Sequence, residues 1–189
     1  MNNEKRPYVC PAEFSGSLDN PLRRLFHNPR KILGPFIKKG MTVLDLGCGP
    51  GYFTGEIANL VGEEGRVIAA DLQEEMLVKM AVKVKGMGVE QRVEKHKCLE
   101  DKIGIVKKVD FVLAFWMVHE VTDQPGMFRE LRNILNAGGR ILVIEPKFHV
   151  TGRSFDKTIA FSETAGFEII ERPKVVLSRS VLLSVRSSR

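Results

Sequence analysis

The fold of this chain is decided by the stretch Val43-Leu44-Asp45-Leu46-Gly47-Cys48-Gly49-Pro50-Gly51. An apolar strand ends there in three alternate glycines, and a helical pattern from Phe53 to Leu60 follows. Because glycine has no Cβ, the backbone can turn sharply and a small molecule can lie against it. Tyr52 stands where the dinucleotide fingerprint G-x-G-x-x-G has its third glycine. The stretch is therefore either a tight strand-to-helix turn or a binding loop for a different small molecule.

A second apolar strand, Val67 to Ala70, ends in Asp71. In a parallel sheet its carboxyl end lies beside the glycine loop. A carboxylate in that place can accept hydrogen bonds from both hydroxyls of a ribose. Asp71 therefore favours the binding loop over the plain turn.

These residues resemble the cofactor-binding half of the class I S-adenosylmethionine-dependent methyltransferases. The resemblance extends to 109–114 and 131–146, which look like that family's fourth strand and its fifth strand with the preceding helix. It covers roughly residues 40–186 and is closer to the small-molecule methyltransferases that act on quinone precursors. It implies an α/β fold with a doubly wound, Rossmann-like, seven-stranded sheet. That sheet is mostly parallel, has an antiparallel last strand and is usually ordered 3-2-1-4-5-7-6.

The alternation of strand and helix patterns from Thr42 onward also predicts a parallel sheet with helices on both faces. The last two strands, joined by the short turn 172–174, should be antiparallel. Beyond the elements already named, the pattern predicts helices at 21–27, 29–37, 74–86, 125–136 and 154–164, and strands at 92–96, 110–114, 140–144, 167–171 and 175–185.

The 189 residues are long enough for one domain with a sizeable core. Residues 41–189 are predicted to form the S-adenosylmethionine-binding methyltransferase domain. Residues 1–40 are predicted to be an irregular arm and two short helices that belong to the same domain, the helices starting at Asn20-Pro21 and Asn28-Pro29. In the resembled family such helices close over the cofactor as a lid, and packing against the sheet edge is the alternative.

The net charge of +6 suggests either an anionic partner, such as RNA or an acidic metabolite, or a solvated basic face. Six basic and no acidic residues lie between positions 20 and 40, but aromatic residues do not interleave as on a base-stacking surface. No apolar run has the length of a membrane span, and no signal peptide is visible, which makes the cytoplasm the default location. Cys10, Cys48 and Cys98 are too few for a disulfide framework or a zinc site, so no metal is predicted.

The resemblance implies S-adenosylmethionine as the cofactor, with the glycine loop under its methionine and ribose parts. Asp71 would accept the ribose hydroxyls, and Asp45 would hold the ammonium group or orient the N–H groups of the loop. Cys98 stands where many members have an Asp for the adenine amino group, so Leu99 and backbone groups would hold the adenine. The predicted cofactor-binding residues are Asp45, Gly47, Cys48, Gly49, Gly51, Asp71, Leu72, Cys98, Leu99 and Ala114.

Three candidate catalytic residues follow neighbouring strands on the same edge of the sheet. His119 comes after the fourth strand, and Glu145 and His149 come just after the fifth. An imidazole can serve as a base near neutral pH. His119 either acts as that base or shapes the pocket, and Glu145 either meets the substrate or orients nearby backbone or His groups.

The sequence thus predicts transfer of a methyl group from S-adenosylmethionine to a small-molecule acceptor. The alternatives are an RNA or protein methyltransferase and a non-catalytic S-adenosylmethionine-binding module. Neither the Asn-Pro-Pro-Tyr signature of amide methylation nor a Pro-Cys pair for attack on cytosine is present, which argues against those nucleic-acid classes. Arsenite methylation would need a thiol cluster, and only Cys10 and Cys98 lie outside the glycine loop.

Overall fold

The structure, a computed structural model, describes residues 26–186. Strands and helices alternate along the chain, with short helical turns before β3 and after β4. In chain order the elements are α1 (Pro29–Leu33), β1 (Thr42–Leu46), α2 (Thr54–Val61), β2 (Arg66–Asp71), α3 (Glu74–Gly86), β3 (Val93–Lys97), β4 (Val109–Phe115), α4 (Gln124–Ile134), β5 (Leu135–Pro146), α5 (Gly152–Thr164), β6 (Phe167–Glu171) and β7 (Ser178–Val185).

The seven strands form one sheet in the order β3-β2-β1-β4-β5-β7-β6. Neighbouring strands from β3 to β5 are parallel, and β7 runs antiparallel to both β5 and β6. The predicted fold class and strand order are therefore confirmed. The order reverses between β1 and β4, where an open α/β sheet leaves a crevice at the carboxyl ends of its strands.

Helices cover both faces of the sheet, so its central strands are apolar and buried on both sides. On one face, Leu44 and Val112 pack with Phe128 of α4. On the other face, Val43 packs with Leu77 of α3. Burial on both faces fixes the register of β1, β2, β4 and β5, and with it the positions of the loops at their carboxyl ends.

The segment before the sheet packs into the core. Asn28 caps α1 by accepting a hydrogen bond from the Lys31 N–H at 3.1 Å. Leu33 is fully buried, and the Phe36 ring stacks on Phe111 of β4 with centroids 6.1 Å apart. Residues 29–37 therefore pack against the face of the sheet at its central strand β4, and not against the predicted sheet edge. The predicted arm, Cys10 and most of the predicted helix 21–27 lie outside the described residues, so the lid role of 1–40 stays a prediction.

Two of the predicted elements are longer than the observed ones. α1 ends at Leu33 instead of Ile37, since Pro35 has no N–H with which to continue the helix. β7 begins at Ser178 instead of Val175, because Leu177 has a φ of +56° and so leaves the extended conformation. Within residues 26–186 no helix has the length and apolar character needed to cross a membrane.

The boundary between α4 and β5 is also displaced from the prediction. α4 ends at Ile134, and β5 already begins at Leu135 rather than at Arg140. The Asn136 side chain donates a hydrogen bond to the Asp110 carboxylate at 2.6 Å and so fastens the extended segment beside β4. This bond joins residues that are far apart in sequence, and a helical pattern cannot reveal it.

Candidate active site

A cavity of about 730 Å³ lies at the carboxyl ends of the parallel strands, beside the point where the strand order reverses. Its volume is within the range of cofactor and substrate pockets. Its walls come from the loop after β1, the end of β2, residues 98–103 and the segments after β4 and β5. The predicted site residues that line it are Asp45, Gly47, Cys48, Gly49, Asp71, Leu72, Cys98, Leu99, His119 and His149.

The glycine loop is fastened to β2 through its backbone. The N–H groups of Gly47 and Cys48 donate to the carbonyl oxygen of Ala70 at 2.8 and 3.0 Å, and the Gly49 N–H donates to the Asp71 carboxylate at 2.9 Å. Gly49 has a φ of +53°, and a Cβ built on it would meet no atom within 4 Å. The loop is therefore held rigidly, with an open approach to its backbone at Gly49.

The other two loop glycines are required by neighbouring side chains. A Cβ on Gly47 would lie 2.8 Å from the Met117 side chain, and one on Gly51 would lie 2.8 Å from Met80 of α3. Gly51 is not among the cavity-lining residues of the described chain, and neither is Ala114, which is fully buried within β4. The absence of a side chain at Gly51 therefore lets Met80 of α3 pack against the glycine loop, and Ala114 belongs to the buried sheet.

Asp71 ends β2 at the cavity wall. One carboxylate oxygen accepts from the Gly49 N–H and the other from the Gln73 N–H, both at 2.9 Å. Burial raises the pKa of Asp71, and these backbone donors act in the opposite direction. The residue therefore joins the glycine loop to the loop after β2 and still borders the cavity, which is the position predicted for it.

Asp45 lies deeper, at 2% exposure, and accepts a hydrogen bond from the Thr54 hydroxyl at 2.7 Å. The pKa of Asp45 is raised to about 7, chiefly by burial and also by the nearby Asp71 charge, while the Thr54 hydrogen bond acts in the opposite direction. One of the two roles predicted for Asp45 was to orient the N–H groups of the glycine loop. The structure shows that Asp71 binds the Gly49 N–H and that Asp45 binds the first residue of α2.

The two cysteines of the cavity have protonated thiols at neutral pH. Burial raises the pKa of Cys48, and the charges of Asp45 and Asp71 raise it further. Burial and the charge of Asp71 also raise the pKa of Cys98, to about 12. Since metals and metalloids bind the thiolate form, these thiols are poorly suited to arsenite. Next to Cys98, Leu99 is 63% exposed, so it presents an apolar surface at the edge of the cavity.

The partly exposed His119 pairs with the buried Glu145 at the cavity wall formed by the segments after β4 and β5. The His119 Nδ1 lies 2.5 Å from one Glu145 oxygen, and the other oxygen accepts the Val118 N–H at 2.9 Å. Burial lowers the pKa of His119, but the hydrogen bond and charge of Glu145 outweigh it and raise the pKa. Glu145 is 1% exposed and is not a lining residue. It orients the imidazole and the backbone, which was the second of its two predicted roles.

His149 comes next to this pair. Its ring stacks on the His119 ring with centroids 6.0 Å apart, and it lies 4.9 Å from the Phe148 ring. The structure therefore brings both predicted imidazoles together on one wall of the cavity. Only His119 is hydrogen-bonded to the buried carboxylate.

Four aromatic side chains continue the cavity beyond the imidazoles, and we call them the aromatic wall: Phe53, Phe115, Trp116 and Phe148. Consecutive ring centroids along this wall are 4.4, 5.2 and 5.3 Å apart. His27, from the segment before α1, packs edge-on against Trp116 at 5.0 Å. Phe53 and Phe115 are almost fully buried, so the apolar ring surface that the wall exposes belongs mainly to Trp116 and Phe148.

The sequence patterns identified His119 and His149 on this edge of the sheet but not the aromatic wall. Trp116 has a φ of +57°, which is exceptional for a bulky residue. Its N–H donates to the Ile144 carbonyl at 2.7 Å and its Nε1 donates to the Ser178 hydroxyl at 3.1 Å. Strained backbone held by such bonds is concentrated at functional sites. The only sequence signal for the wall was the nearness of Trp116 and Phe148 to strand ends.

The sequence matches the model of a family described as "Methyltransferase domain" over residues 37–171. The chain belongs to this methyltransferase family. A solved structure, a SAM dependent methyltransferase from Aquifex aeolicus, aligns with a TM-score of 0.84 and 28% identity over 93% of this chain and 98% of that one. The predicted enzyme class and its cofactor, S-adenosylmethionine, are thereby confirmed.

Other relatives extend this comparison. The ubiquinone/menaquinone biosynthesis C-methyltransferase UbiE of Escherichia coli O1:K1 / APEC is 34% identical over 110 residues, which make up 58% of this chain and 44% of that protein. The chain thus matches less than half the length of this curated relative. Aeropyrum pernix fibrillarin in complex with natively bound S-adenosyl-L-methionine shares the fold, with a TM-score of 0.62 and 16% identity over 78% of this chain and 67% of that chain.

Proposed function

We propose that this protein transfers a methyl group from S-adenosylmethionine to a small, flat acceptor bound against the aromatic wall. The observation that carries the proposal is the carboxylate-bound imidazole of His119, which lies in the same cavity as the glycine loop. Similarity to a quinone-biosynthesis methyltransferase, though over part of its length, supports an acceptor of this kind.

The loop residues suit the cofactor. Gly49 leaves its backbone accessible, and Asp71 presents a carboxylate at the tip of β2. We assign Asp71 to the ribose hydroxyls, Asp45 to the ammonium group, and Cys98 and Leu99 to the adenine side. When bound, S-adenosylmethionine supplies a methyl group on a positively charged sulfur, ready for direct displacement.

The chain then has to place and activate the acceptor. The aromatic wall would hold its ring and exclude water, so that its reacting atom is aligned with the methyl group. With its Nδ1 bound to Glu145, His119 can take a proton from the acceptor through its other nitrogen, Nε2. Glu145 would stabilise the imidazolium that forms, as the carboxylate of a catalytic triad does.

Turnover of S-adenosylmethionine carrying a labelled methyl group, measured against separate pools of metabolites, tRNA and protein, tests the proposed acceptor class. We expect label in the metabolite pool, in planar compounds with an ionisable ring. Label in tRNA or protein alone would replace the small-molecule acceptor with one of the alternatives. Cofactor binding with no turnover in any pool would identify a non-catalytic module.

Replacing Asp71 by alanine should weaken S-adenosylmethionine binding by about 1–3 kcal/mol, the usual range for hydrogen bonds to a charged group. Calorimetry on the folded variant measures this loss. Asp71→Asn is the matched variant that removes the charge: its amide oxygen can still accept the Gly49 N–H, although its NH2 group cannot accept the Gln73 N–H. Unchanged affinity in Asp71→Ala, or tighter binding of NAD than of S-adenosylmethionine, would contradict the assignment.

A further inference from the structure

A second cavity, of about 620 Å³, lies between the start of α5 and the connection from β6 to β7. It shares one segment with the active site, because Lys147 lines it while the adjacent Pro146 and Phe148 line the first cavity. Its lining residues are Lys147, Gly152, Phe155, Asp156, Arg172, Pro173, Lys174, Val175, Val176, Ser178, Arg179 and Ser180.

The charged side chains of this cavity are mostly basic. Its lining includes four cations and a single carboxylate, Asp156; the cations are Lys147, Arg172, Lys174 and Arg179. Within residues 26–186 none of the four forms an ion pair. Like charges gathered in a concave site raise the local positive potential and attract anions.

The start of α5 lies beside Arg179 at the same cavity. Arg179 is held by a hydrogen bond from its Nε to the Val150 carbonyl at 3.2 Å. A Cβ on Gly152, the first residue of α5, would lie 3.9 Å from Cζ and Nη2 of that guanidinium group. α5 is 13 residues long, and the N-terminus of such a helix carries a partial positive charge. The guanidinium group and the helix N-terminus thus approach the same cavity.

We propose that this second cavity binds a phosphate group. Guanidinium groups and lysines around a concave site are the donors that recur in phosphate sites, and the positive end of α5 adds to their charge, although the Thr151 hydroxyl already accepts the Ser154 N–H there at 3.2 Å. The phosphate belongs either to a soluble compound or to a phospholipid headgroup. The site is distinct from that of the cofactor and adjoins the acceptor side through the segment 146–149.

Titration of the full-length protein with pyrophosphate at low salt, with and without S-adenosylhomocysteine, tests the proposal. The double variant Arg172→Gln/Lys174→Gln should bind pyrophosphate about tenfold more weakly or worse, since each lost cation removes a charge-assisted bond. Both side chains are exposed, so the fold should persist. The control Lys38→Gln/Lys85→Gln removes the same charge from exposed positions, one before β1 and one at the end of α3.

A second arm distinguishes the two sources of the phosphate group. Phosphatidylcholine vesicles with and without phosphatidic acid are offered to the same proteins. Binding of pyrophosphate supports a soluble phosphate compound, and binding of the acidic vesicles alone supports a phospholipid headgroup. In either case the cavity double variant should lose this binding and the control double variant should keep it. Binding of neither probe, or equal loss in both double variants, overturns the proposal. Cofactor affinity should stay unchanged in the cavity variant, so failure here is separable from failure of the proposed methyl transfer.

Discussion

Replacing His119 by alanine is expected to lower turnover about 100-fold or more, the usual contribution of a positioned base. Cofactor affinity should change little, because the cofactor is assigned to the glycine loop and Asp71. The expectation rests on the 2.5 Å contact with Glu145, which orients the ring at the cavity wall. Single-turnover rates and calorimetry on the same variant separate the chemical step from binding. His149→Ala is the matched control, because it removes the stacked imidazole and leaves the pair intact.

The role of His119 as a base also predicts the direction in which the rate changes with pH. A base works in its neutral form, so the wild-type rate should rise with pH as His119 loses its proton. Glu145 raises the pKa of His119, and the plateau should therefore lie above the ordinary imidazole range. Glu145→Gln removes that charge and should move the profile to lower pH. Near-normal turnover in a double variant without His119 and His149 would instead leave positioning as the whole mechanism.

The site could be predicted from sequence where short local patterns determine it. The apolar strand, the alternate glycines and the carboxylate at the tip of the next strand lie in the 29 residues between Val43 and Asp71. Their geometry follows from one strand-helix-strand unit. The strand order came from the family resemblance, since pairing of distant strands leaves no local pattern. These features are the ones that the structure reproduces most closely.

The rest depends on contacts between residues far apart in sequence. Gly51 looked like a ligand contact, but its small size is needed by Met80 of a later helix. Glu145 was expected on the same edge as His119, and only the packing of β5 beside β4 joins the two. The aromatic wall likewise combines side chains from three separate segments. Sequence indicated the edge of the sheet, while tertiary packing decides which groups touch.

Asp45 illustrates how a ligand-binding position can cost stability. Its carboxyl group is buried beside Asp71, and its pKa is raised to about 7 from an ordinary value of 3.8. The folded state therefore holds the proton more tightly than the unfolded state. Its contribution to stability is complete below about pH 3.8 and is lost as pH rises through about 7. At pH 8 the cofactor-free protein carries a buried charge that a bound ammonium group would offset.

Asp45→Asn should therefore stabilise the cofactor-free protein at pH 8, by up to about 4 kcal/mol for a shift of this size. The gain should shrink as pH falls toward 4, because both side chains are then neutral and the amide can still accept the Thr54 hydroxyl. Chemical denaturation of both proteins at pH 5 and pH 8 measures it, with the exposed Asp101→Asn as control. The same variant should bind S-adenosylmethionine more weakly at pH 8, since the charge assigned to the ammonium group is gone. A pH-independent difference in stability would refute the raised pKa, and unchanged cofactor affinity would remove Asp45 from the ammonium site.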